Sequence, residues 1–111
     1  WEFPAGTLES GEPPAVTAAR ELTEETGYVA GRIEPLGTFY TSPGFTDELM
    51  HVFVARELVS GEQQLESHEE IEVETRGRAD VEAMIRSGEF IDGKSIAALL
   101  LWQESISGSE D

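Results

Sequence analysis

Three carboxylates, Glu21, Glu24 and Glu25, follow directly on Arg20 in the run Arg20-Glu21-Leu22-Thr23-Glu24-Glu25. On a helix they stand at i, i+3 and i+4, so all three share one face within a single turn. Like charges so placed repel, at a cost of roughly 0.2 to 0.5 kcal/mol per pair. A hard divalent cation turns the same cluster into a set of oxygen ligands, and Mg²⁺ suits it because it accepts a few carboxylates and fills its other positions with water and phosphate. Carboxylate spacing alone also describes an ordinary acidic surface helix. Arg20 lies four residues before Glu24 and can hold that side chain in one rotamer, as any surface ion pair could.

The elements around the cluster must supply a helix. From Pro13 the pattern becomes helical: proline suits a first turn, Ala15, Ala18, Ala19 and Leu22 form a face of apolar side chains, and Gly27 stops it, which predicts a helix over residues 14 to 26. Before it lie a short strand-like start at Trp1-Glu2-Phe3, the break Pro4-Ala5-Gly6 and a turn at Ser10-Gly11. After it, residues 33 to 41 and 48 to 55 read as strands joined through the turn Ser42-Pro43-Gly44, and the alternation Ile71-Glu72-Val73-Glu74 reads as another strand. Asp80 reads as the N-cap of a second helix that Gly88 closes. A third is expected from Lys94 to about Ser105, with Trp102 as a packing residue. The expectation is one mixed α+β domain over residues 1–106 and a flexible tail at 107–111, with no repeat or linker.

Composition narrows the function. Seven basic residues against 23 acidic ones leave a formal charge of -16, the wrong sign for neutralising nucleic acid phosphates or an anionic membrane. There is no cysteine, which excludes disulfides, thiolate metal sites and cysteine nucleophiles and is compatible with a cytoplasmic location. No run is long enough to span a bilayer, and the start has no signal-like character. His51 and His68 have no partner at metal-ligand spacing and read as structural, and aromatics such as Phe39, Tyr40 and Phe45 read as core before base-stacking.

Taken together, Gly6, Glu12, Arg20, Glu21, Leu22, Glu24, Glu25, Gly27 and Tyr28 match the pattern G-x5-E-x7-R-E-U-x-E-E-x-G-U, where U is apolar or aromatic. The chain thereby resembles the Nudix hydrolase family. The resemblance implies a Nudix-like α/β/α sandwich with a mixed sheet, lacking in this chain the N-terminal strands that family members carry. It implies a divalent cation, Mg²⁺ or Mn²⁺, held by Glu21 and Glu25 with Glu24 and the carbonyl of Ala5, and Arg20 orienting the cluster. Glu12 would be either a further ligand or a support for the ligands. The general base would come from the loop Glu66-Ser67-His68-Glu69-Glu70, with Glu69 expected ahead of Glu70 and Glu66. By default, a glutamate-rich loop is simply a solvated one.

Pro43 lies 16 residues beyond Gly27, and Ser42-Pro43-Gly44-Phe45-Thr46-Asp47-Glu48 resembles the loop of the family's ADP-ribose pyrophosphatase branch. Read alone it is a turn between strands. The resemblance makes Pro43, Gly44, Phe45 and Glu48 substrate-binding candidates and implies hydrolysis of ADP-ribose or a related nucleoside diphosphate sugar to AMP and a sugar phosphate. It also implies a homodimer for the full-length protein. Two rival readings remain: a non-catalytic Nudix-like module that binds metal or nucleotide, and an acidic interaction domain without a metal role.

Overall fold

The computed structural model describes residues 1–65 and 70–109. Its elements run α1 (Pro14–Thr26), β1 (Val29–Tyr40), β2 (Leu49–Val59), α2 (Arg78–Ser87) and α3 (Gly93–Ser109). The chain divides into two compact units, Pro4–Glu72 and a second formed by Trp1–Phe3 with the residues from Val73 onward.

In the Pro4–Glu72 unit, α1 has the bounds its composition implies. Pro14 occupies a first-turn position where the missing N–H is no loss, and Gly27 takes the left-handed C-cap conformation at φ 83°, donating its N–H to the Thr23 carbonyl. A single residue, Tyr28, then separates the cap from β1. β1 and β2 form an antiparallel hairpin running in register from Val29↔Val59 to Tyr40↔Leu49. Both strands are longer than expected, because ladder pairing carries Val29-Ala30 and Leu58-Val59, which have little alternation of their own. The register slips by one residue between Pro35 and Gly37. Proline cannot donate to a ladder and glycine packs nothing, so a bulge forms where the two flank Leu36. Val52 is buried here.

The second unit gathers Val81, Met84, Phe90 and Leu99 into a core, with Phe3, Ile85, Ile96 and Trp102 packed against it. Phe3 and Phe90 meet as tilted rings 5.7 Å apart. Gly88 ends α2 in the left-handed conformation, and Asp92 caps α3 by accepting hydrogen bonds from the Ser95 N–H (3.0 Å) and hydroxyl (2.8 Å). Those bonds hold the Asp92 carboxyl below its usual range. Trp102 packs as expected and carries the Arg78 guanidinium over its ring.

Several expectations need correction. Trp1-Glu2-Phe3 is not a strand; the Phe3 N–H goes to the Ser95 hydroxyl at 2.9 Å instead of a ladder. Residues 71–74 are extended in pattern only, since alternation is a local signal and a strand needs a partner to pair with. Asp80 lies inside the first turn of α2, where Gly77 is the N-cap, and its charge there favours the positive end of the helix. The α3 backbone stays helical through Ser109, past the expected end near Ser105. Among the described residues the sheet consists of one antiparallel pair, β1 with β2, alongside helices in an α+β arrangement. No described helix is long and apolar enough to cross a membrane.

Candidate metal-binding site on α1

Every residue of this site belongs to the Pro4–Glu72 unit. Its centre is the Arg20 guanidinium. Arg20 Nη2 and Nε donate to Glu12 Oε1 and Oε2 at 3.0 and 3.1 Å, a two-pronged contact that uses both carboxylate oxygens. Arg20 Nη1 donates to Glu21 Oε1 at 3.0 Å and to Glu24 Oε2 at 3.2 Å. One cation therefore joins the loop before the helix to two carboxylates on it. Arg20 hydrogen bonds, with a shorter one from the Thr17 hydroxyl at 2.7 Å, hold the Glu12 carboxyl down from its ordinary 4.5 to about 2. Glu12 foremost, with Glu24 and Glu9, raises the Arg20 pKa further and keeps it charged.

Glu25 is held differently. Its Oε2 accepts the Ala5 N–H at 3.1 Å, so the Pro4-Ala5-Gly6 segment is tied to the last turn of α1. Gly6, next in sequence, lies against Glu21 so closely that a Cβ there would fall inside the Glu21 side chain. The turn tolerates no other residue without moving that carboxylate. At the far end of α1, the Gln64 N–H reaches the Glu24 carbonyl at 2.8 Å and Gln63 Nε2 reaches the Glu25 carbonyl at 2.5 Å, satisfying acceptors the helix leaves open. Gln63 also donates to the Ile71 carbonyl at 3.1 Å.

The structure thus brings together Ala5, Glu12, Arg20, Glu21, Glu24 and Glu25. Their donor set is all oxygen, three helical carboxylates beside a backbone segment that only glycine lets approach, and this chemistry fits a hard divalent cation. Among the described residues no three acidic or histidine side chains close on a common point; Glu21 and Glu24 are turned onto Arg20, and Glu25 onto Ala5. Pro43, Gly44, Phe45 and Glu48 form a hairpin turn with its own bonds: Phe45 and Thr46 donate N–H groups to the Ser42 carbonyl, and Thr41 donates its hydroxyl to Glu48 at 2.6 Å. Phe45 is 96% exposed, so the expectation that it belongs to a core is wrong: a turn tip has nothing to cover it. His51 sits in β2 opposite Thr38. Glu69, Glu66 and His68 lie outside the described residues.

Sequence reasoning missed Thr17 and Gln63. Thr17 precedes Arg20 by three residues, a helical spacing that puts the two side chains on one face; no local pattern marks Gln63.

A pH prediction follows from Glu12. Because its folded value is depressed, the stability it contributes is fully present above about pH 4.5 and lost as pH falls toward 2. The difference in melting temperature between the wild type and Glu12→Gln should be constant above pH 5 and shrink below about 4.5. A difference that does not change across that interval would rule out the clasp.

A family model described as the NUDIX domain matches residues 1–99. The chain is 45% identical over 100 residues to an ADP-ribose pyrophosphatase of Bacillus subtilis (strain 168), covering 88% of this chain and 54% of that protein. It is 38% identical over 100 residues to a GDP-mannose pyrophosphatase of Citrobacter koseri, covering 86% and 51%. A solved structure titled as an ADP compounds hydrolase superposes with a TM-score of 0.79 at 25% identity, over 92% of this chain and 55% of that one. The chain spans about half the length of the curated relatives it matches.

Proposed function

This chain belongs to the NUDIX domain family, and from that premise we propose that it hydrolyses the diphosphate linkage of ADP-ribose or a related nucleoside diphosphate sugar, giving AMP and a sugar phosphate. The observation that carries this reading is the joint placement of Glu21, Glu24 and Glu25 on one turn of α1, braced by Arg20 and by the Ala5 backbone. The relatives named for ADP-ribose and for GDP-mannose agree on a substrate with two phosphates and a sugar.

Glu21, Glu24, Glu25 and the carbonyl of Ala5 would hold the cation, Mg²⁺ or Mn²⁺. When bound, such an ion supplies positive charge against the diphosphate and lowers the pKa of water beside it. The chain's own groups do the rest. Arg20 keeps Glu21 and Glu24 on one side of the guanidinium while Glu12 engages its Nε and Nη2, so the carboxylates would have to turn from these partners toward the ion. Glu69 is proposed as the base that removes the proton from the attacking water, ahead of Glu70 and Glu66. Pro43, Gly44, Phe45 and Glu48 are proposed to contact the sugar nucleotide, and the exposed Phe45 ring offers a face on which a base can stack. A homodimer, on the resemblance alone, and a cytoplasmic location, which the absence of cysteine permits, complete the proposal.

The test is a panel of ADP-ribose, GDP-mannose, other nucleotide sugars and dinucleotides, assayed on the intact protein with Mg²⁺ or Mn²⁺ by chromatography of the products. ADP-ribose should yield AMP and ribose 5-phosphate with the highest kcat/KM. A higher value for GDP-mannose would reassign the base. Cation-dependent nucleotide binding with no cleavage of any compound would establish the non-catalytic reading instead.

A further inference from the structure

Thr17 occupies an unspecified position between Glu12 and Arg20 in the matched pattern, yet it is the buried residue of α1, only 5% exposed. Its hydroxyl has one proton to donate. The Pro13 carbonyl, four residues back, lies at 3.5 Å, the outer edge of hydrogen bonding, whereas Glu12 Oε1 lies at 2.7 Å. The proton therefore goes to Glu12. Glu12 in turn engages Nη2 and Nε of Arg20, and a planar guanidinium has one orientation once two of its nitrogens are held. Only Nη1 is left to reach Glu21 and Glu24.

We propose that Thr17 is a positioning residue for cation binding: by fixing Glu12 it holds Arg20 at a set distance from Glu21 and Glu24, so that the guanidinium braces them without closing further on the oxygens a divalent ion would use. The inference rests on the reading of α1 as the cation-binding helix. Without the hydroxyl, Glu12 loses its shortest donor and its grip on the guanidinium loosens. Arg20 then settles more fully on Glu21 and Glu24 and competes with the ion for the same oxygens.

Mn²⁺ binding to the intact protein without substrate, followed by the electron paramagnetic resonance of free Mn²⁺, tests this apart from turnover. Thr17→Val keeps the shape and deletes the hydroxyl; it should weaken Mn²⁺ binding about ten-fold, the low end for outer partners of metal ligands. Thr17→Ser should bind as the wild type does. In a Glu12→Gln background, Thr17→Val should cause no further loss, because its route to the ligands is already cut. Wild-type affinity in Thr17→Val, or a full additional loss in the Glu12→Gln background, overturns the proposal. If Thr17→Val fails to fold, Thr17→Ser and Thr17→Ala carry the same comparison, and equal affinities in those two overturn it as well. A wild type that cleaves nucleotide sugars while Thr17→Val and Thr17→Ser bind Mn²⁺ alike sinks this inference alone. A wild type that neither binds Mn²⁺ nor cleaves any compound sinks the functional reading beneath it.

Discussion

Glu25→Gln should lower the hydrolysis of ADP-ribose on the order of 10³-fold, the scale of removing one group that stabilises charge developing in a reaction, while the protein stays folded. The amide is the same size as the carboxyl and keeps an oxygen to accept the Ala5 N–H. The Gln63 bond to the residue 25 carbonyl involves only backbone at that position and is untouched. Glu21 and Glu25 stand four residues apart, so removing one charge also relieves a repulsion of roughly 0.2 to 0.5 kcal/mol in the metal-free helix. The variant should therefore keep its fold without cation. In contrast, the stabilisation that Mn²⁺ confers on the wild type should vanish, because an ion stabilises a fold only by binding it. Melting curves with and without Mn²⁺, read beside the turnover assay, check both halves. Undiminished turnover would remove Glu25 from the ligand set.

Gly6→Ala should have the next largest effect, through a different cause. The added methyl would occupy the volume of the Glu21 side chain, so either the loop or the carboxylate must move. Moving the loop pulls on the Ala5 N–H bond to Glu25, and moving Glu21 breaks its bond to Arg20. Both routes displace a proposed ligand. Mn²⁺ affinity and turnover are expected to fall about 10- to 100-fold together, with little loss of stability, because Gly6 is exposed and the atoms that must give way are the far end of the flexible Glu21 side chain. A variant with ordinary Mn²⁺ affinity would show that the close approach does not set the position of Glu21.

The parts of this arrangement that were legible in the sequence are those governed by local rules. Pro14 and Gly27 bound α1 because each has a conformational restriction or freedom that acts at its own position, and the carboxylates share a face because helical spacing alone decides it. The hairpin was legible in outline from β-rich runs either side of Ser42-Pro43-Gly44. What escaped depends on contacts between distant positions. Residues 71–74 alternate without a ladder, Phe3 is engaged by Ser95, and Gln63 finds the end of α1 across 38 positions of sequence. Asp80 shows a subtler failure: acidic residues favour both the cap and the first turn, so its type located the helix start without settling its own place in it. Thr17 reads as filler until its burial and its 2.7 Å bond to Glu12 are seen together.

The unmatched residue at Leu36 makes the two halves of the hairpin depend on a count. Side chains alternate along a strand, and the one-residue slip leaves Leu36 without an opposite number, so excising it would close the ladder directly from Pro35↔Phe53 to Gly37↔Val52 with every remaining pair still opposed. What would go is the bend and added twist of the bulge, so the tip that carries Pro43 and Phe45 would be aimed in a different direction. In a lineage of such chains, a loss at Leu36 should be tolerated by the ladder, whereas single-residue losses elsewhere in β1 should survive only alongside a matching change that restores the pairing.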